Sequence, residues 1–175
     1  SNCFNCISNT KPELRRREYN IIVNEHSNSL FGYAMNFLHD REDAEDIVQD
    51  VFEKLWVNRG KVEPTKAKSW MFTTAHNAMI NFSTRKSRMS FYDEMERFEK
   101  GEIIPNSFEA NEVVNRAVSI LPPIQKSIII LRDLEGYSYG EVGEILDLSE
   151  SQVKVYLFRG RRKIKKQLKG LVELV

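Results

Sequence analysis

The sequence predicts an all-α protein with two small helical domains joined by a flexible acidic linker, the C-terminal domain being a helix-turn-helix. Three observations lead to this prediction. Apolar residues recur every three or four positions along most of the chain, and no convincing strand alternation occurs. From about residue 87 to residue 111, charge, Gly101 and Pro105 replace that periodicity. The expected boundaries are 12–88 for the first domain, 89–111 for the linker and 112–175 for the second domain.

The first domain is expected to contain four helices. The third helix carries an almost unbroken apolar seam and begins at Asp40 or Asp43, either of which can accept hydrogen bonds from the free amides of a first turn. Pro64 marks a break before the fourth helix. The expected segments are 12–26, 28–38, 44–55 and 67 to about 85.

The second domain begins with a helix that Pro122 and Pro123 end, and the same prolines suit the first turn of the next helix, 124–134. Ser138 with Glu141, and then Ser149 with Gln152, have the spacing of capping boxes. They predict a short helix, a three-residue turn at 147–149 and a long final helix. This order is that of a helix-turn-helix, whose second helix enters the DNA major groove.

The final helix carries eight cations and no acid between residues 151 and 170. A helical projection places Val153 and Leu157 on the core side, whereas Val155 and Phe158 lie opposite, among the cations. Apolar side chains pack on thymine methyl groups and Arg or Lys donates to guanine, so this outer face predicts DNA binding. The alternative is a basic, solvated helix whose Phe158 is covered by a neighbouring helix.

Charge is segregated along the chain although the formal net charge is only +1. Residues 40–54 and 93–112 are acidic, whereas residues 61–88 are basic, like the final helix. Such segregation predicts separate surfaces for separate partners.

Two helices of the first domain carry polar stripes opposite their apolar seams. The stripe of the third helix is acidic and has three interpretations: a solvated face, a carboxylate metal site, or a docking surface for a basic partner. The stripe of the fourth helix combines an aromatic ring, amides and terminal cations, which are the groups that bind unstacked bases. In the simpler alternative, Trp70 of this stripe is part of the core.

Three stretches, taken in order, resemble the sigma-70 family of bacterial RNA polymerase, in its short extracytoplasmic-function (ECF) subgroup. They are DAEDIVQDVFEKLW, KSWMFTTAHNAMINF with its basic end, and LPPIQKSIIILRDLEGYSYGEVGEILDLSESQVKVYLFRGRRKIKK, within about residues 15–170. Asp147 stands where the family usually has glycine, and Gly143 where it usually has alanine.

The resemblance implies a role for each stripe. Docking on the clamp of the polymerase is expected of Asp46, Gln49, Asp50, Glu53 and Trp56. Binding of the melted −10 promoter element is expected of Trp70, Thr73, Asn77, Asn81, Arg85, Lys86 and Arg88. Reading of the duplex −35 element is expected of Ser151, Gln152, Lys154, Val155, Phe158, Arg159 and Arg162.

The expected function is therefore that of an ECF sigma factor, which directs core RNA polymerase to specific promoters and assists their melting. The alternative is a stand-alone, dimeric helix-turn-helix regulator, which leaves 41–88 unexplained. No catalytic, cofactor or metal site is expected, since the chain has no nucleophile–His–acid set, Gly-rich loop or metal-spaced His pair.

The expected partners are core RNA polymerase, promoter DNA and an anti-sigma factor, without a small-molecule substrate, and the free protein is expected to be a monomer. The resemblance implies a cytoplasmic, bacterial protein, and no apolar run is long enough to span a membrane. Cys3 and Cys6 form a lone CxxC, a weak metal or redox signal, and two unpaired thiols fit a reducing compartment.

Overall fold

A computed structural model describes residues 13–99 and 116–172, with side chains for 13–89 and 116–170. All regular structure within these residues is helical. The helices are α1 (Arg16–Leu38), α2 (Arg41–Asn58), a 3₁₀ turn (Pro64–Lys66), α3 (Ala67–Glu99), α4 (Pro123–Ile129) with a π turn (Ile130–Leu134), α5 (Tyr139–Leu146) and α6 (Glu150–Val172). Residues 116–119 form a further helical turn before α4.

The predicted break between two N-terminal helices is absent, and α1 runs unbroken from Arg16 to Leu38. Ser27 and Asn28 have only mildly unfavourable helix propensities, which the packing of Leu30 and its apolar neighbours overrides. The helix ends at His39, which is in the left-handed conformation with φ 55°. Asp40 then caps α2 by accepting a hydrogen bond from the Asp43 amide, as predicted.

Helix α3 begins after Pro64, which opens the 3₁₀ turn, and extends to Glu99. The backbone of residues 87–99, predicted to be part of the linker, is therefore helical. The remaining predicted linker residues, 100–111, lie outside the described part of the chain, as do Cys3 and Cys6.

Both predicted capping boxes are formed in the C-terminal domain. The Ser138 amide donates to Glu141 and the Glu141 amide donates to the Ser138 hydroxyl, at 2.9 and 3.2 Å. Ser149 and Gln152 repeat this pair of bonds at 2.9 and 3.2 Å at the start of α6. Asp147 adopts φ 56°, so the turn between α5 and α6 uses the left-handed conformation that glycine adopts without strain.

Buried apolar side chains form one continuous core through both domains. In the N-terminal domain α1, α2 and α3 pack mutually, and in the C-terminal domain α6 packs on both α4 and α5. The two domains also touch: α5 lies on α3, while α4 and its π turn lie against α1. The buried core of the described residues includes Leu30, Phe37, Val51, Leu55, Phe72, Met79, Ile128, Leu131, Ile145, Val153 and Leu157.

Candidate protein and nucleic-acid interfaces

The acidic stripe lies on one exposed side of α2, because its members are three or four positions apart. Asp46, Gln49 and Glu53 are exposed, and Trp56 is 37% exposed. Asp50 is half-buried and forms a 2.6 Å ion pair with Lys54, whereas the Gln49 amide lies 3.4 Å from Glu53. The stripe thus presents carboxylates beside an exposed indole ring.

A groove of about 620 Å³ runs beside this stripe, between α1 and α2. Its apolar wall is formed by side chains of both helices, and Glu45, Gln49 and Glu53 line its rim. At one end the Trp56 ring meets Tyr19 edge-on at 5.0 Å and carries the Arg59 guanidinium at 4.1 Å. The apolar lining residues are Tyr19, Phe31, Val48, Phe52, Trp56 and Val57.

The second stripe follows one side of α3. Asn77, Asn81, Arg85 and Arg88 are exposed along it. Toward the start of the helix, Trp70 is half-buried and packs against the core, so part of its ring remains exposed. From the start to the end of α3, the stripe therefore changes from an aromatic ring to amides and then to cations, in the order predicted.

Two predicted members of this stripe are engaged elsewhere. The Thr73 hydroxyl lies 2.7 Å from the carbonyl oxygens of both Ser69 and Ile145, the latter in the C-terminal domain. Lys86 faces α2, where its ammonium is 2.7 Å from the Asp43 carboxylate. Hydrogen bonding to this carboxylate raises the pKa of Lys86.

The outer side of α6 is exposed as predicted. Val155 is 47% and Phe158 67% exposed, whereas Val153 and Leu157 on the opposite side are buried. No neighbouring helix among the described residues covers Phe158. Exposed polar and charged groups surround the two apolar side chains: Ser151, Gln152, Lys154, Arg159 and Arg162.

One tyrosine that the sequence analysis did not single out lies beside this face. The Tyr139 ring has the Lys154 ammonium 5.1 Å and the Arg132 guanidinium 4.5 Å from its centroid. Arg132 is held in addition by a 2.8 Å bond to the Tyr137 carbonyl. Arg161, by contrast, pairs with Asp133 and is turned toward α4. These contacts fix the positions of the cations around the start of α6.

His76 was one of three scattered histidines in the sequence, and the structure gives it a defined setting. It is 7% exposed and hydrogen-bonded to side chains of α1 and α4. Burial lowers the pKa of His76 to about 4, so the imidazole is neutral near pH 7. No periodic pattern in the sequence could have revealed contacts between residues so distant in the chain.

The described residues contain no group of His, Cys, Asp or Glu side chains that could hold a metal ion. No described helix is both long and apolar enough to cross a membrane.

An acidic stripe on α2 and a basic helix-turn-helix, in described residues whose regular structure is all helical, point to the class of DNA-binding transcription proteins. Within that class, residues 22–89 match the family described as Sigma-70 region 2, and residues 111–164 match Sigma-70, region 4. The chain belongs to the sigma-70 family of RNA polymerase sigma factors, in its ECF group.

Curated relatives are similar over most of their length. The chain is 26% identical over 148 residues to the ECF RNA polymerase sigma factor SigM of Bacillus subtilis, covering 82% of this chain and 91% of that protein. It is 25% identical to the ECF RNA polymerase sigma-E factor of Haemophilus influenzae, with 90% of each chain covered.

Solved structures share the fold. CnrH in complex with the cytosolic domain of CnrY matches with a TM-score of 0.67 and 23% identity, over 89% of this chain and 90% of that one. The sigma factor RpoE of Bartonella quintana, in complex with the anti-sigma factor NepR, matches with a TM-score of 0.61 and 22% identity. That match covers 87% of this chain and 98% of RpoE.

Proposed function

We propose that this sigma factor binds core RNA polymerase through the α2 stripe and its groove, and reads promoters through α3 and α6. The observation that carries the proposal is the exposure of Val155 and Phe158 on the outer face of a helix-turn-helix, between Lys154 and Arg159. Leaving large apolar side chains in water gains nothing for folding, whereas both can pack on thymine methyl groups in the major groove while Lys154 and Arg159 donate to polar base edges.

The α2 stripe is the proposed polymerase contact. Its carboxylates suit a basic partner surface, while the groove beside it accepts apolar side chains around Trp56. A partly exposed tryptophan with an apolar pocket next to it is typical of the centre of a protein interface, and the surrounding charges steer association.

The α3 stripe is the proposed contact to the −10 element. Bases that have left the duplex offer free edges and ring faces. Asn77 and Asn81 can pair with base edges, Trp70 offers a ring for stacking, and Arg85 and Arg88 lie where they can neutralise phosphates. Binding the separated strand stabilises the melted promoter, which is how a protein with no catalytic chemistry of its own assists melting.

The α6 face is the proposed reader of the −35 element, with Ser151, Gln152 and Arg162 at its margins. No observation favours the alternative of a stand-alone dimeric regulator. We place the protein, a monomer when free, in the bacterial cytoplasm, where core polymerase meets the chromosome. The solved relatives in complex with NepR and with CnrY support the further proposal that a protein partner of the anti-sigma kind binds this chain.

Run-off transcription tests the function directly. The chain is mixed with bacterial core polymerase that lacks any sigma factor, on promoter-bearing DNA from the source genome. Discrete transcripts that require the chain are expected, and their start sites define the promoter elements. No transcripts and no binding to core polymerase, with tight binding of duplex DNA by the chain alone, would instead indicate the stand-alone regulator.

Charge reversal tests the α2 assignment. Asp50→Lys with Glu53→Lys is expected to abolish binding to core polymerase, because the carboxylates are replaced by charges that repel a basic surface. The matched control is Glu13→Lys with Glu25→Lys, two exposed acids outside α2. Unchanged polymerase affinity in the α2 variant would remove this assignment.

Base readout by α6 is tested separately. Arg159→Ala is expected to relax discrimination at one position of the −35 element by about 1–3 kcal/mol if the guanidinium makes a bidentate contact. The measurement is transcription from a set of single-base promoter variants. An equal weakening on every variant would mean that Arg159 contacts phosphates only.

A further inference from the structure

Trp56 stands in the last turn of α2 and lies at one end of the groove between α1 and α2. The residue is 37% exposed, so it is neither buried in the core nor free in solvent. A side chain in such a position has several rotamers open to it unless neighbouring groups select one. The neighbours of this ring therefore decide whether it is oriented before a partner arrives.

One neighbour is Tyr19 of α1, whose ring meets the Trp56 ring edge-on at a centroid distance of 5.0 Å, a favourable arrangement for two aromatic rings. Tyr19 is itself fixed, because its hydroxyl donates to the Phe52 carbonyl of α2 at 3.1 Å. Burial raises the pKa of Tyr19, so the hydroxyl keeps the proton that it donates. Tyr19 therefore restricts the indole from the side of α1.

The second neighbour is Arg59, the residue that immediately follows α2. Its guanidinium carbon lies 4.1 Å from the centroid of the Trp56 ring, which is a close cation–π contact. The same guanidinium donates from Nη1 to the Trp56 carbonyl oxygen at 2.7 Å. Arg59 thus holds both the ring and the backbone of Trp56.

The backbone of Arg59 is anchored as well. Its carbonyl accepts a hydrogen bond of 3.0 Å from the amide of Leu14, whose side chain is buried. Its own amide lies 3.4 Å from the Trp56 carbonyl oxygen, in the last turn of α2, where carbonyl groups lack partners within the helix. Arg59 is therefore a fixed part of the α2 terminus rather than a freely moving surface residue.

The charge of Arg59 does not explain its place beside the α2 stripe. Among the residues whose side chains are described, no carboxylate forms an ion pair with its guanidinium. A cation at this margin also weakens the attraction of the stripe for a basic partner surface. If charge were its whole contribution, Arg59 would oppose the binding that the stripe is proposed to perform. The contacts with Trp56 are the contribution that offsets this repulsion.

We propose that Arg59 is a positioning residue for the binding of core RNA polymerase, because it holds the Trp56 ring in the orientation in which that ring completes the groove and meets the partner. The inference rests on the proposed function, since it takes the α2 stripe and its groove as the polymerase contact. Ordering a side chain on association has an entropic cost, which a ring that is already held avoids. Arg59 acts through Trp56 and need not touch the polymerase itself.

Replacing Arg59 by alanine separates this role from simple electrostatics, because the two predict opposite changes in affinity. Removal of a cation alone should tighten binding to a basic surface. Loss of the ring contact should instead weaken binding to core polymerase, by about twofold to tenfold for one side chain that must then be ordered on association. Arg59→Ser serves the same purpose if Arg59→Ala does not fold.

Two further variants complete the comparison. Arg59→Lys can still place a cation over the ring and donate to the Trp56 carbonyl, so it should recover part of the lost affinity although it restores the unfavourable charge. Lys61→Ala is the matched control, since it removes an exposed cation two residues further along the chain that does not hold the Trp56 ring. The control should bind core polymerase as tightly as the parent or more tightly.

The orientation of the ring is measured without polymerase. Trp70→Phe leaves Trp56 as the single tryptophan of the chain, and the decay of its fluorescence anisotropy then reports the local motion of the indole. The parent and Lys61→Ala should show mainly the slow tumbling of the whole protein. Arg59→Ala should add a fast component of large amplitude, which Arg59→Lys reduces. Circular dichroism checks that each variant is folded.

Affinity is measured in the natural Trp70 background, by competition with the labelled parent chain for core polymerase that lacks any sigma factor. The inference is supported if Arg59→Ala both frees the ring and weakens binding, and Arg59→Lys partly reverses both effects. It is overturned if the ring stays rigid in Arg59→Ala, if binding is unchanged or tighter, or if Arg59→Lys is as weak as Arg59→Ala. If the parent itself does not bind core polymerase, the proposed function is wrong, while the anisotropy comparison still decides whether Arg59 holds the ring.

Discussion

Gly143 and Asp147 form the turn that orients α6. The amides of Asp147 and Leu148 both reach the Gly143 carbonyl, and a Cβ on Gly143 would overlap the Leu148 carbonyl oxygen. Asp147 takes the positive φ that the family usually gives to glycine. The glycine at 143, where the family usually has alanine, therefore reflects the tight packing of this particular turn.

Gly143→Ala is accordingly expected to lower the free energy of unfolding by about 1–3 kcal/mol, the usual cost of overpacking against backbone that cannot move freely. Chemical denaturation measures the change. Gly140→Ala in the same helix is the control, since its nearest neighbour is the end of the flexible Glu150 side chain. Equal stabilities for the two variants would contradict the steric argument.

His76 gives the protein a predictable sensitivity to acid. Its pKa is lowered from 6.5 to about 4 by burial, so the unfolded chain binds a proton in that window and the folded chain does not. Stability therefore falls as the pH is lowered from 6.5 to 4, by about 2–3 kcal/mol from this residue. Tyr33, its neighbour, has a raised pKa and stays neutral throughout the window.

Denaturant unfolding at pH 7 and at pH 4 measures this loss, with His76→Gln as the comparison because glutamine can hydrogen-bond but does not titrate. The histidine protein is expected to lose more stability than the variant across this interval. Parallel losses in the two proteins would mean that other groups account for the acid sensitivity.

Helix α6 has one side that packs in the core and an opposite side that we propose recognises DNA. Leu157 is 3% exposed and packs in the core, whereas its neighbour Phe158 is 67% exposed. The two residues differ in environment because adjacent positions on a helix are about 100° apart.

Leu157→Ala is expected to destabilise the protein by about 2–5 kcal/mol, and Phe158→Ala by less than about 0.5 kcal/mol. The effect on binding to −35 duplex DNA should be the reverse for folded protein: Phe158→Ala weakens it. Thermal unfolding and a duplex-binding titration provide the two measurements. A large stability loss from Phe158→Ala would mean that the ring is part of the fold after all.

Local signals in the sequence were sufficient to locate the helix starts of the C-terminal domain, because a capping box is contained within four residues. The unbroken course of α1 could not be predicted, since Ser27 and Asn28 are neutral enough for tertiary packing to decide. The exposed polar stripes of α2 and α3 could be predicted from helical periodicity. The hydrogen bonds of Ser127 to Tyr33 and His76 could not be predicted, because they join residues 94 and 51 positions apart and follow no pattern.

At the scale of the whole molecule, the continuous core makes the two domains thermodynamically coupled. Both tryptophans, Trp56 and Trp70, belong to the N-terminal domain, so their fluorescence reports on that domain alone. Far-ultraviolet circular dichroism reports on helices of both domains.

The two signals are therefore expected to follow one coincident denaturation curve in the natural sequence. Ser127→Arg replaces the buried hydroxyl that bonds to Tyr33 and His76 of the other domain with a charged side chain. In this variant the two curves should separate, because each small domain then unfolds alone. Coincident curves in the variant as well would argue against coupling through this contact.

The π turn at Ile130–Leu134 determines which side chains of the following residues face α1. Such a turn amounts to one residue inserted into an α-helix, and it rotates everything that follows by about 100°. The Glu135 amide closes it by donating to the Ile130 carbonyl at 2.9 Å, and the carboxylate of the same residue reaches Ser29. Removing one residue from the turn would restore a regular helix, and the Glu135 side chain would then leave the helix in a different direction and no longer face Ser29. The length of this single turn, rather than the side chain alone, sets the register in which the two halves of the chain meet.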